Sequence, residues 1–354
     1  MKTLVKKITI VFSPLMFLLF SICLVFVACD KDEVANPGTS YQKVNLVSSV
    51  DGHGANRIDP NLINARGMAV GQTGTFWITS TGIDKTTIYD YTGMTAAPPF
   101  NVGGHPEGVV YNATNDFARP VTTMVSKFIY VGEEGKVHGW ASENMIVEVA
   151  NHGTNGDVYK GVTITNDRGS NFLYIANFSK GEIVVLDQNF VQKDGMLFID
   201  PTLPAGYAPF NIQNVDGKLY VTYALQNENS SDAVEGEGNG YVSIFNPDGT
   251  FIRRFASEGK LNAPWGIAKV TNNFGEEPNA ILIGNNGDGR INVFSENGEF
   301  LHQLQDGNTI IKIDGLWTIM FPASGVPAIE HNKLYYTAGP ADETQGLFGY
   351  ITMR

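Results

Sequence analysis

The sequence predicts an all-β chain folded as a six-bladed β-propeller, its ring closed by an N-terminal strand pairing with the C-terminal blade. Three observations carry this expectation. Short apolar runs of strand length alternate with Gly, Asn and Asp turn chemistry throughout. The same four-run pattern recurs at intervals of about 41 to 55 residues, the period of a propeller blade. No stretch after residue 42 carries a convincing helical period.

The clearest unit runs from Leu261 to Leu304. Its apolar runs fall at Trp265 to Val270, Ala280 to Gly284, Arg290 to Phe294 and Phe300 to Leu304. Asn285-Asn286-Gly287-Asp288-Gly289 and Glu296-Asn297-Gly298 supply residues that tolerate positive φ in hairpin turns.

First strands align as NARGMAV from Asn64, HPEGVVY from His105, VYKGVTI from Val158, YAPFNIQN from Tyr207, NAPWGIAKV from Asn262 and DGLWTIMF from Asp314. Second and third strands follow in every repeat. Fourth strands are clear at FIRRF and FLHQL, fair at MIVEV and MLFI, and poor near Pro98-Pro99-Phe100. The sixth repeat lacks a fourth strand, and Lys43 to Ser48 precedes the first repeat without a meander of its own. The two are expected to pair, which removes an exposed sheet edge.

Composition bounds the function. A formal net charge of -12 and a pI near 4.9 argue against nucleic acid, which needs a basic face. Cys23 and Cys29 are the only cysteines, which leaves no disulfide or thiolate metal site in the repeats. Lys2, Lys6 and Lys7 lead an apolar run from Ile8 to Val27 that ends at Ala28-Cys29, the pattern of a targeting segment, with a transmembrane anchor as the alternative for a run of this length.

Two resemblances extend this reading. Phe26-Val27-Ala28-Cys29 resembles the lipobox of bacterial lipoproteins, with Phe where Leu is usual, and Asp30-Lys31-Asp32-Glu33 looks like the acidic export signal of surface lipoproteins in Bacteroidetes-type bacteria. They imply a signal peptide over 1–28, a lipidated Cys29 with a tether over 29–42, and a propeller over 43–354. They also imply anchoring in the outer membrane through the lipid, facing the cell surface. DPNLINARGMA from Asp59, LNAPWGIA from Leu261, GNNGDGRINVF from Gly284, IDGLW from Ile313 and YTAGP followed by GLFG resemble an uncharacterised family of secreted bacterial propellers related to NHL repeats. That resemblance spans residues 44 to 351 and implies the six-bladed fold and export, with no established activity. Arg66 stands where members often have Trp.

Candidate chemistry belongs on the face where inter-blade and second-to-third-strand loops emerge around the channel. Arg66, His105, Glu107, Tyr159, Asn211, Trp265 and Asp314 are expected near the axis. Glu133-Glu134, the acidic insertion from Asn227 to Gly240, the Asn285 to Asp288 turn and Asp342-Glu343 are expected around them. Glu107, Asn211 and Asp314 form a hard oxygen set that would suit calcium or another divalent metal. His105-Pro106-Glu107-Gly108 and Asp314-Gly315-Leu316 resemble short peptides of metal-dependent lactonases on six-bladed propellers. The competing reading makes Glu107 and Asp314 turn residues bonding backbone amides. Trp265, Trp317, Tyr207 and Phe210 offer a carbohydrate-stacking platform or blade-to-blade packing. There is no G-x-S-x-G elbow and no H-E-x-x-H, and the six histidines are scattered singly. The expected role is therefore binding or scaffolding, with an unknown glycan or protein ligand and no required cofactor. The alternative is a metal-dependent hydrolase or lyase acting at the channel.

Overall fold

The computed structural model describes residues 39–354 apart from 121, 143–144, 230, 271–272 and 327–328. The expected signal segment, Cys29 and the tether as far as residue 38 lie outside the described residues.

Among the described residues six blade sheets surround a central axis in sequence order, the first strand of each meander innermost, and Gln305–Asp306 pairs with Thr309–Ile310 as a separate two-stranded ribbon. The innermost strands are Ala65–Val70, Pro106–Tyr111, Tyr159–Asp167, Tyr207–Val215, Pro264–Lys269 and Leu316–Met320. The N-terminal strand Tyr41–Ser48 pairs antiparallel with Leu347–Met353, from Tyr41 opposite Met353 to Ser48 opposite Leu347, and so supplies the outer strand of the sixth blade. Each blade buries both faces against its neighbours. That is why its second strands, such as Phe128–Gly132 and Ile281–Asn285, read as continuous apolar runs and are buried along their whole length.

Two fourth strands differ from expectation. Thr95–Asn101 forms an outer strand on Lys85–Tyr89 despite Pro98 and Pro99. An edge strand tolerates proline, because one side of it needs no amide donor. The third blade instead has only three strands, and Met196 to Ile199 stays outside the ladder. Phe198 packs its ring against Tyr174 and against Phe245 of the next blade, with centroids 5.8 and 5.4 Å apart, while Leu197 and Ile199 are exposed. Aromatic packing between blades has replaced strand pairing here.

One feature of the innermost strands recurs in all six blades. The register shifts between Ala65 and Met68, Pro106 and Gly108, Tyr159 and Val162, Pro209 and Asn211, Pro264 and Gly266, and Leu316 and Ile319, each time by one extra inner-strand residue. A β-bulge of this kind re-aims a side chain out of the strict alternation of a strand. The residues placed at the six bulges are Arg66, Glu107, Lys160, Phe210, Trp265 and Trp317.

Candidate functional site

These six residues form the top of the channel, one from each blade, and each is at most 4% exposed. Half of the ring is charged and half aromatic. Four of the bulged residues are followed by glycine, at Gly67, Gly108, Gly161 and Gly266. The spacing requires it: a Cβ on Gly108 would lie 2.6 Å from the Lys160 carbonyl oxygen, and one on Gly67 2.5 Å from that of Glu107. Hydroxyl and amide side chains tie the ring's backbone together. Thr318 Oγ1 and Thr337 Oγ1 donate to the Arg66 carbonyl at 2.8 and 2.5 Å, and Thr79 Oγ1 donates to that of Glu107 at 3.1 Å.

The charged half is a closed network. Arg66 Nη1 bonds Glu107 Oε1, and Arg66 Nη2 donates to Glu343 Oε2 at 2.5 Å. Lys160 Nζ bonds Glu133 Oε1 and lies 4.0 Å from Glu107 Oε1. Burial raises the Glu107 carboxyl to about 7, and the attraction of Arg66 and Lys160 offsets only part of that rise. Burial also pushes Glu133 upward, but Lys160 and Arg66 outweigh it and hold this more exposed carboxyl at about 2. A protonated Glu107 would leave two cations facing the two carboxylates of Glu133 and Glu343, which balances the charge.

The aromatic half packs edge to face. Ring centroids are 4.9 Å apart for Phe210 and Trp265, and 4.9 Å for Trp265 and Trp317. The Arg66 guanidinium joins the two halves, 4.3 Å from the centroid of Trp317. Tyr207 is not part of this cluster, since its ring meets Tyr241 instead.

Glu343 reaches Arg66 from an unusual turn. Ala341, Asp342 and Glu343 have φ of 55, 50 and 64°, three consecutive non-glycine residues in the left-handed region. The exposed Asp314 accepts the Ala341 amide at 3.0 Å and so braces this turn. Beside it is a cavity of about 150 Å³ whose acidic walls are Glu235, Asp288, Asp314, Asp342 and Glu343. Burial, then the charges of Asp314 and Glu343, raise the Glu235 carboxyl above its ordinary value. The Asn227 to Gly240 insertion presents Glu235 there and is tied down by neighbouring chain: Gly236 N–H donates to Asn262 Oδ1 at 2.7 Å, and Gly238 N–H to the Leu261 carbonyl at 2.8 Å.

The expected oxygen set is thus dispersed. Glu107 is held by two cations, and Asn211 uses Nδ2 on the Trp265 carbonyl at 2.9 Å and Oδ1 on the Ile212 amide at 2.8 Å. Asp314 sits outside the ring, as does exposed His105, whose amide donates to Asp84 Oδ1 at 2.8 Å. Tyr159 turns into the blade interior toward Asp157 and His152. Among the described residues no three His, Cys, Asp or Glu side chains group where they could hold a metal ion. Arg66 and Lys160 give Glu107 the wrong surroundings for a divalent cation, so this donor set does not fit one. Sequence reasoning did not single out Lys160, although its column in the repeat alignment, directly before a glycine, is that of Arg66 and Glu107.

Four buried polar atoms at this end of the channel have no hydrogen-bond partner within the described chain: Asn64 Oδ1, Arg66 Nε, Glu107 Oε2 and Trp317 Nε1. Leaving such an atom unmet costs about 1–3 kcal/mol. Two donors and two acceptors at this end of the channel are thus left unmet.

An uncharacterised protein of Acanthamoeba polyphaga mimivirus is 33% identical to this chain over 349 residues, 92% of this chain and 84% of the viral one. A second uncharacterised mimivirus protein is 31% identical over 333 residues, 87% of this chain and 85% of its own length. The chain belongs to their family. No protein-family model matches it, and its uncharacterised viral members bring no residue role to the ring. Among solved structures, a streptogramin B lyase aligns with a TM-score of 0.53 at 12% identity, covering 89% of this chain and 97% of that one. A putative gluconolactonase aligns at 0.55 and 13% identity, covering 90% and 93%. At that identity the likeness is one of fold.

Proposed function

We propose that the protein is a binding module whose loop face takes a neutral or cationic ligand rich in hydroxyl groups, a glycan end being the chemistry that fits. The four unmet polar atoms carry this reading. Hydroxyls both donate and accept, so they answer the Arg66 and Trp317 donors and the Glu107 and Asn64 acceptors together, beside an aromatic cluster. The acidic cavity wall disfavours anionic ligands. Access runs past Glu343, whose side chain is 43% exposed and whose carboxylate caps Arg66, so ligand hydroxyls would displace that carboxylate. Display at the cell surface through a lipid on Cys29 rests on the N-terminal sequence, and the propeller supplies the rigid platform.

The alternative, a hydrolase or lyase at the channel, draws support from Glu107, a buried carboxyl near neutral titration with one free oxygen. The fold is shared with a lyase and a putative gluconolactonase. A metal-dependent form would require the Arg66–Glu107 pair to open.

A glycan and peptide array probed with the purified protein separates these readings. The binding reading expects a set of neutral or cationic glycans retained without turnover, and retention at least about tenfold weaker after Trp317→Phe. Hits confined to acidic ligands, or hits indifferent to Trp317→Phe, would contradict it.

A further inference from the structure

The opposite end of the channel has a different chemistry. Below the ring the passage narrows to a throat of about 40 Å³, walled by Gly67, Gly108, Gly161, Asn211, Gly266 and Thr318. That is room for little more than one water. It then widens into a cavity of about 140 Å³ whose walls are chiefly Met68, Val70, Val109, Tyr111, Val162 and Ile319. Through Gln213 and Met320, which border both spaces, this cavity adjoins a cleft of about 390 Å³ walled by Ile267, Phe321 and Pro322. The buried ring closes the passage above, so it is a blind funnel with one mouth.

Of its polar neighbours, Asn211, Asn214, Thr163 and Thr318 already bond within the chain. Gln213 borders the throat, the cavity and the cleft. It is half-buried, and its amide has no hydrogen-bond partner among the described residues. The charges at the mouth, Lys269 and Asp216, neutralise one another in an ion pair. Among the described residues no other ionisable side chain apart from Tyr111 borders the three spaces.

We propose that this funnel is a second binding site, for a small neutral molecule with an apolar body and a single hydrogen-bonding head. The apolar body lies against Met68, Val109, Val162 and Ile319, and the head meets the Gln213 amide, which offers both a donor and an acceptor. The middle cavity, with chiefly apolar side chains around one unpartnered amide, has the anatomy of a small-molecule site. A charged ligand is disfavoured, because no unpaired ion awaits it and burying a lone charge is costly. The throat excludes a longer ligand from reaching the ring, so this site is separate from the loop face.

The test is a titration of the purified protein with N-phenyl-1-naphthylamine, a neutral amphiphile with one N–H that fluoresces in apolar surroundings. The expected result is saturable fluorescence with one probe per chain and a melting temperature that rises with probe concentration. Met320→Trp, at a part-buried position bordering the cavity and the cleft, should abolish the signal while circular dichroism stays native. Gln213→Leu should weaken binding about tenfold. Fluorescence that does not saturate, or saturable binding unchanged by Met320→Trp in a folded variant, would overturn the proposal.

Discussion

The Arg66 guanidinium stacks on the Trp317 ring at 4.3 Å while its two terminal nitrogens engage Glu107 and Glu343. One side chain thus joins the charged half of the channel ring to the aromatic half, and removing it should expose how strongly they depend on one another. Arg66→Met leaves the carboxylates of Glu107, Glu133 and Glu343 without their shared cation. Urea unfolding should show a loss of about 3–5 kcal/mol, the cost of breaking a buried pair from one side. Arg66→Met combined with Glu107→Leu should recover much of that loss, since no lone buried charge remains.

Glu107 should also write a pH signature into stability. Its folded value, near 7, lies above the ordinary 4.5, so between those values the native state binds the extra proton. Stability from this group is therefore fully present below about pH 4.5 and declines as pH rises through 7, by an amount on the order of 3 kcal/mol. Glu133, depressed to about 2, acts in the opposite direction: its contribution is present above about pH 4.5 and is lost as pH falls toward 2. Thermal melts across pH should flatten between 4.5 and 7 in Glu107→Gln and keep their acid limb.

Most of the fold was legible in the sequence, because blade strands declare themselves by apolar runs and by the glycines and asparagines between them. The closing strand at Tyr41–Ser48 was legible too, from a sixth repeat one strand short. The ring was less so. A bulge breaks the two-residue alternation that sequence reading relies on, so Lys160 looks like one more polar strand residue. Only the shared column before Gly67, Gly108, Gly161 and Gly266 marks it. The dispersal of Glu107, Asn211 and Asp314 was also invisible, because their partners Arg66, Trp265 and Ala341 are each at least 27 residues distant. The missing fourth strand of the third blade follows from Phe198 packing on Phe245, a contact between blades that local pattern does not encode.

Ring closure gives a direct stability prediction. Deleting residues 43 to 49 removes most of the strand paired with Leu347–Met353 and bares the edge of the sixth blade. The melting temperature should fall by at least about 10 °C, by the usual conversion of several kcal/mol for a domain of this size. An unchanged melt would show that the ring does not depend on that strand.

The glycines at the axis should resist even one methyl group. A Cβ on Gly161 would stand 1.9 Å from Asn211 Oδ1 and 2.7 Å from its Cα. Gly161→Ala should destabilise by about 1–3 kcal/mol, as overpacked sites do. The same substitution in an Asn211→Ala background should cost less, a coupling that a double-mutant cycle measures.

Calcium tests the enzymatic alternative. With Glu107 held by Arg66 and Lys160, millimolar calcium should leave the melting temperature within about 1 °C, whereas a native-state metal site raises it by mass action. A calcium-dependent rise abolished by Glu107→Gln would favour the metal-assisted hydrolase or lyase.

Whether ligand reaches the ring can be read from the four tryptophans. Each of Trp77, Trp140, Trp265 and Trp317 contributes one indole N–H resonance, and Trp317→Phe assigns the one that matters. On titration with the tightest glycan from the array, the Trp317 resonance should shift saturably, because its unmet Nε1–H gains an acceptor, while Trp77, buried in a strand of the first blade, stays in place. Saturable binding that leaves the Trp317 indole resonance unmoved would contradict the ring as the place of recognition.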